Sequence, residues 1–94
     1  MKTSFEVIHN ESGNRFEVHL ADMEYALLIY MVKAGLFVIT HTEVPPDYQG
    51  QGIAALLAQK ALDYARDKGL QVRSYCSYTT WYIDKHPEYQ NLLG

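Results

Sequence analysis

The residue types most suited to chemistry in this chain lie in the segment Val44-Pro45-Pro46-Asp47-Tyr48-Gln49-Gly50-Gln51-Gly52-Ile53-Ala54-Ala55-Leu56. An extended run ends at two prolines, a loop with two glycines follows, and a helical pattern starts at once. Glycine leaves the backbone bare, so several amide hydrogens can converge on one anion. The start of a helix adds donors without an intrahelical acceptor and the positive end of the peptide dipole. Together these suit a diphosphate. The alternative reading is a strand–loop–helix turn in which the glycines serve geometry alone. Other phosphate loops fit worse, because the sequence has no Gly-Lys-Ser/Thr and no third glycine of the dinucleotide fingerprint.

Two titratable residues, His41 and Glu43, stand just before this segment. Strict strand alternation puts them on one face with Phe37 and Ile39, and puts Val38, Thr40, Thr42 and Val44 on the other. Cys76 is the only cysteine, which excludes an internal disulfide and a thiolate metal set. His9, His19, His41 and His86 have no ligand spacing, so no metal is expected.

The elements that must position these residues divide the chain in two. Phe5–His9 and Arg15–Leu20 alternate apolar and polar residues as half-buried strands do, and Asn10–Asn14 between them has turn chemistry. Tyr25–Val32 is rich in aromatic and β-branched residues, Lys33-Ala34-Gly35 turns the chain, and Leu36–Val44 is a fourth strand stopped by Pro45-Pro46. From Gly52 to Lys68 the period changes. Ile53, Leu56, Leu57, Ala61, Leu62, Tyr64 and Ala65 form a helical stripe closed by Lys68-Gly69. Leu70–Tyr75 reads as a short fifth strand, with Leu70, Val72 and Ser74 on one face. Ser77 is expected to cap a second helix that runs to about Lys85 and stops at His86-Pro87. The order predicts an α+β domain with a mixed sheet over residues 1–94.

Composition narrows the function classes. Apolar residues make up 48% and charged residues 20% of 94 residues, as in a globular domain, and the net charge is −3. A mildly acidic chain without a Lys/Arg cluster lacks the basic stripe of a nucleic-acid binder. The amino terminus, Met1–Glu6, has no apolar stretch after its charge and does not read as a secretion signal. The longest apolar run, Tyr25–Val32, is far shorter than the ~20 residues of a membrane span. A cytoplasmic protein without membrane contact is expected.

Gln49-Gly50-Gln51-Gly52-Ile53-Ala54 resembles the Arg/Gln-x-x-Gly-x-Gly/Ala signature of the GCN5-related N-acetyltransferases. His41–Pro46 before it, Cys76 after the fifth strand and His86-Pro87-Glu88-Tyr89 are similar to the minimal, YjdJ-like branch of that superfamily, over essentially the whole chain. The resemblance implies the small acetyltransferase fold and acetyl-CoA as donor, with an amine as acceptor. It places the pyrophosphate of coenzyme A on Gln49, Gly50, Gln51, Gly52, Ile53 and Ala54, and the pantetheine arm along Thr42, Glu43 and Val44. Glutamine at position 49 forgoes the charge that arginine would bring to the phosphates. Full-length members carry helices between their first two strands, where this chain has only Asn10–Asn14. The acceptor site is therefore expected to be shallow, or completed by a protein partner or a second copy of the chain.

Acetyl transfer to an amine needs a neutral amine, a stabilised oxyanion and a proton for the departing thiolate. Glu43 and His41, the latter with an ordinary pKa near ~6.5, are the candidate bases. Both also read simply as exposed strand residues. Two readings of Cys76 stand side by side: a small buried hydrophobe, or an acyl-accepting thiolate activated by the helix start near Ser77. Tyr82, in Trp81-Tyr82-Ile83-Asp84-Lys85, is similar to the tyrosine that protonates the coenzyme A thiolate in the superfamily, and it fits a packing role equally. A module that binds coenzyme A without catalysis is the rival function.

Overall fold

Alternating side chains in the first half fold into an antiparallel meander, and the computed structural model describes residues 5–93 of the chain. Met1–Ser4, which belong to the segment read above for a leader, and Gly94 lie outside the described residues. Strands β1 (Ile8–Asn10), β2 (Arg15–His19), β3 (Tyr25–Lys33) and β4 (Leu36–Glu43) lie side by side in chain order. Helix α1 (Ile53–Asp67) then crosses over the sheet and returns the chain to β5 (Gln71–Ser74), parallel to β4. Helix α2 (Ser77–Lys85) and a 3-10 turn, Pro87–Leu92, complete the α+β fold with its mixed five-stranded sheet.

Hydrophobic pattern decides which face is covered. Phe16 and Val18 of β2, Ala26, Leu28 and Tyr30 of β3, Phe37 and Ile39 of β4 and Val72 of β5 are buried beneath α1. The helix answers with Ile53, Leu57, Ala58, Ala61, Leu62 and Ala65, spaced for one face of a 3.6-residue turn. Leu56 and Tyr64, expected in this stripe, are only half-buried at its margins, and Ala58 takes a central place. The tail is docked: Tyr89 is buried, its hydroxyl donates to Asp63 at 2.7 Å, and Leu93 bridges to Val72 at the sheet edge.

Three expectations from the sequence are corrected. The first strand does not begin at Phe5, because its ladder with β2 starts only at Ile8 opposite Glu17. Phe5 and Val7 pack against the core without joining the sheet. Ser77 does not cap α2; Cys76 occupies the cap position and Ser77 is the first helical residue.

The third correction concerns the face on which His41 and Glu43 lie. Tyr30 pairs with Ile39, yet its neighbour Ile29 pairs with His41, so Thr40 is an extra residue in β4. Such a bulge reverses the alternation beyond it. Thr42, opposite buried Leu28, therefore shares the helix-covered face with Phe37 and Ile39, while His41 and Glu43 turn to the other face, opposite Ile29 and Leu27.

That second face has no helix over it among the described residues, and it holds one buried charge. Glu17 is only 6% exposed and takes hydrogen bonds from Asn10, Arg15 and His19. The His19 bond, followed by that of Asn10, pulls the Glu17 carboxyl from 4.5 down to about 2, against the desolvation that would raise it. The hydrogen bonds outweigh that desolvation. A carboxyl depressed in the folded state contributes stability that is complete above its unfolded pKa and lost as pH falls toward the folded one. The stability of the native protein against chemical unfolding should therefore fall between about pH 4.5 and pH 2. Glu17→Gln should flatten that limb, and an unchanged slope would remove Glu17 from the acid response.

Candidate functional site

The bulge at Thr40 also ends the pairing of β4 with β5. The last backbone bond across this seam runs from the Tyr75 amide to the Ile39 carbonyl at 2.9 Å. Past it, residues 41–43 pair with β3 alone, so their β5-facing backbone groups border an opening. A cleft of about 390 Å³ begins there, lined by Thr42 and Val44, by the loop residues Tyr48, Gln49, Gly50 and Gly52, by Ile53, Ala54 and Ala55 of α1, and by Tyr78 and Trp81 of α2.

The loop leaves its backbone uncovered. Gly50 and Gly52 have φ of +82° and +84°, and a Cβ at either place would meet nothing within 4 Å. Conformation, then, and not crowding, calls for glycine there, and the backbone above the cleft is bare. Gly52 is the N-cap of α1, with no side-chain cap and no acidic residue in the first turn. The first intrahelical bond goes from the Leu56 amide to the Gly52 carbonyl at 3.0 Å, which leaves the Ile53, Ala54 and Ala55 amides free of intrahelical acceptors at the cleft wall. Gln49 braces the loop from below, its side-chain amide donating to the Val44 carbonyl at 3.1 Å.

Of the expected coenzyme A contacts, Thr42, Val44, Gln49, Gly50, Gly52, Ile53 and Ala54 are brought together around one cleft. Glu43 and Gln51 are not among its walls: Gln51 is exposed, and Glu43 is turned over by the bulge. Tyr48, Ala55, Tyr78 and Trp81 complete the walls and were not assigned there from the sequence. Tyr78 and Trp81 are three apart on α2, with ring centroids 5.7 Å apart, and that spacing is the signal that marks them as one face.

The candidate catalytic residues separate. Cys76 is buried behind the cleft wall, and its thiol donates to the Thr42 hydroxyl at 3.3 Å. Burial works to raise the thiol, but the Thr42 hydroxyl, the amides of Thr79 and Tyr78 and the Thr79 hydroxyl outweigh it, and the net displacement is downward. No side-chain cap bond is formed at α2 in the thiol state; the sulfur sits where a capping oxygen would and gains from the amides when it ionises. His41 and Glu43 pair with each other at 3.1 Å, both exposed on the opposite face of β4. Tyr82 is buried among Tyr78, His86 and Tyr89, stacked on His86 at 3.9 Å, and is not part of the cleft wall. Burial raises its phenol above the ordinary value, with Glu88 and Asp63 acting in the same direction.

No helix of the described residues is long and apolar enough to cross a membrane. Comparison with known proteins gives a consistent outcome. Residues 15–92 match the family profile described as GCN5-related N-acetyl-transferase. The chain is 35% identical over 84 residues to Protein NATD1 of Gallus gallus, covering 87% of this chain and 76% of that protein. It is 35% identical over 83 residues to Protein NATD1 of Mus musculus, covering 86% and 76% of the two chains. The solution structure of a GCN5-like protein from Staphylococcus aureus superposes with a TM-score of 0.74 at 25% identity, over 95% of this chain and 87% of the other.

The loop geometry carries a direct test. Gly52→Ala should cost about 1–2 kcal/mol, because a side chain is strained in the left-handed region. For a chain this short that lowers Tm by roughly 5–10 °C. Gly52→Asn should fall nearer the native protein, since asparagine tolerates that region. Equal Tm values for the alanine variant and the native protein would mean that the loop does not depend on this conformation.

Proposed function

Because the chain belongs to the GCN5-related N-acetyltransferase family, we propose that it binds acetyl-CoA in the cleft between the end of β4, the glycine loop and α2, and transfers the acetyl group to an amine. The observation that carries this reading is the meeting, at one cleft, of a bare helix start and an open strand edge, with Cys76 one hydroxyl behind the wall. In this reading the amides of the Gln49–Ala55 segment hold the diphosphate, in the manner of anion sites at helix starts. The open edge at Thr42–Val44 pairs with the amides of the pantetheine arm, and Tyr78 and Trp81 cover the arm from the α2 side. No lysine or arginine lines the cleft, so diphosphate binding rests on amides and dipole alone.

Bound there, acetyl-CoA supplies an activated thioester. In this reading Cys76 receives the acyl group. Its thiolate adds to the carbonyl carbon, the carbon–sulfur bond to coenzyme A breaks, and the departing thiolate takes up a proton. A neutral amine then attacks the acetyl-cysteine carbonyl, the new carbon–nitrogen bond forms, and Cys76 leaves as thiolate while the amine's proton goes to solvent. His41 and Glu43 stand on the far face and have no part in this first half. The β1–β2 connection is only the four-residue turn Glu11–Asn14, so no helix from that connection encloses the acceptor. The same openness favours a second reading, in which the domain binds coenzyme A and awaits a partner before it turns over.

Thermal unfolding with saturating acetyl-CoA, coenzyme A and ATP separates these readings from a purely structural loop. Ligand at about 100 times its Kd adds roughly 2.7 kcal/mol, equivalent to a Tm rise of about 10 °C or more in a domain this small. Both coenzyme A species should produce it and ATP should not. The sole tryptophan, Trp81, is 53% exposed at the cleft and should change its emission as the site fills. Cys76→Ala should keep the thermal shift and lose acetylation of an amine panel. Full turnover in that variant would sink the covalent route, and a thermal shift without turnover in the native protein would favour the binding module.

A further inference from the structure

The start of α2 contains a polar atom that nothing in the resting protein satisfies. Thr79 is fully buried, and among the described residues its hydroxyl is the one buried side-chain polar atom without a hydrogen-bond partner. Buried hydroxyls are normally paired, because an unmade bond costs desolvation without return. Thr79 is the third residue of α2, and Cys76 is its N-cap, so the two side chains belong to the same first turn. In that turn the N-cap side chain normally faces the backbone amide of the third residue. Here the Thr79 amide and hydroxyl both lie beside the Cys76 sulfur.

The sulfur's other neighbour is Thr42, which now accepts the thiol hydrogen at 3.3 Å. If the thiol gives its proton to solvent, the sulfur becomes an acceptor of several bonds. The Thr42 hydroxyl then reverses and donates, and the Thr79 hydroxyl gains the acceptor it lacks. We propose that Thr79 is a thiolate-holding residue: with Thr42 and the first amides of α2 it forms a hydrogen-bonding cradle for the Cys76 thiolate. The role of this cradle in acyl transfer rests on the function proposed above, but the cradle itself does not.

The groups that face the sulfur are mostly neutral. His41 and Glu43 of β4 are exposed on the opposite face and engaged with each other, while Ile53 and Leu57 on the packed side of α1 are apolar. Arg73 of β5 is exposed, and Tyr82 of α2 is engaged with His86. Tyr78 is the titratable side chain that senses Cys76 by charge, and burial first, then Tyr82 and Cys76, raise its phenol. Hydrogen-bond donors, and not a neighbouring cation, are therefore the stabilising elements.

The experiment is an ultraviolet titration of the Cys76 thiolate in the ligand-free protein, taken as the difference from Cys76→Ser so that the tyrosine background cancels. Thr79→Val keeps the shape and deletes the donor, and should raise the midpoint by about one pH unit or more, the usual worth of a hydrogen bond to a charged atom. Thr79→Ser restores the hydroxyl and should return the midpoint to the native value. A native midpoint in Thr79→Val, or a raised one in Thr79→Ser, would overturn the proposal. Should the valine variant not fold, the unmutated protein decides. The methyl resonance of Thr79 must then titrate with the Cys76 midpoint and stay still in Cys76→Ser; a silent Thr79 would overturn the proposal equally. Because no coenzyme A is present, these outcomes are independent of whether the acetyl-CoA reading stands.

Discussion

One extra residue in β4 governs the rest of the site. Thr40 has no opposite number in β3, and that single insertion does two things. It brings Thr42 onto the face of Phe37 and Ile39 and turns His41 and Glu43 to the other, and it ends the β4–β5 ladder at Ile39. A regular strand would have filled the seam with backbone hydrogen bonds and turned Thr42 away from Cys76. With the bulge, the strand end is left as an open edge on the covered side of the sheet. The Thr40 hydroxyl itself donates to the Ile29 carbonyl at 3.3 Å, so the irregularity is held by its own side chain.

The opening gains its electrostatic character from two helix starts. Neither α1 nor α2 has a side-chain oxygen at its cap; Gly52 and Cys76 stand in those positions. Both first turns border the same cleft, through Ile53–Ala55 on one side and Tyr78 on the other. Ordinary capping by serine or aspartate would quiet these amides at a gain of about 1 kcal/mol each. Leaving them bare keeps donors available for a phosphate at one helix and for a sulfur anion at the other. In a mildly acidic chain whose cleft contains no basic side chain, this is how negative charge can be held at all.

The outer face of the sheet follows a different logic. It carries half-buried Leu27, Ile29 and Val38 and exposed Tyr25 and Met31, with the Glu17 network across β1 and β2. A carboxylate so well supplied with donors stays ionised through the neutral range, and its hydrogen bonds fix Asn10, Arg15 and His19 around it. The helix-covered face is therefore held by apolar packing and the open face by a charged network. That asymmetry leaves the second face of the sheet accessible.

Much of this was legible before any coordinates. The two-residue period of the first half, the 3.6-residue stripe from Ile53 to Ala65 and the prolines at 45 and 46 are local signals, and they set the elements and their order. The glycine spacing at 50 and 52 and its position at a helix start are local as well, so the glycine loop leading into α1 could be read from residues alone. The fate of His41, Glu43, Cys76, Thr79 and Trp81 could not be read in this way. Alternation counts residues along one strand, whereas a bulge is a mismatch between two, so the sequence of β4 by itself cannot reveal it. Likewise, the donors around Cys76 come from β4 and α2, 34 residues apart at the Thr42 contact. Sequence patterns fix which residues alternate or share a helical face; only packing of strand against strand and helix against sheet decides which face looks into the cleft.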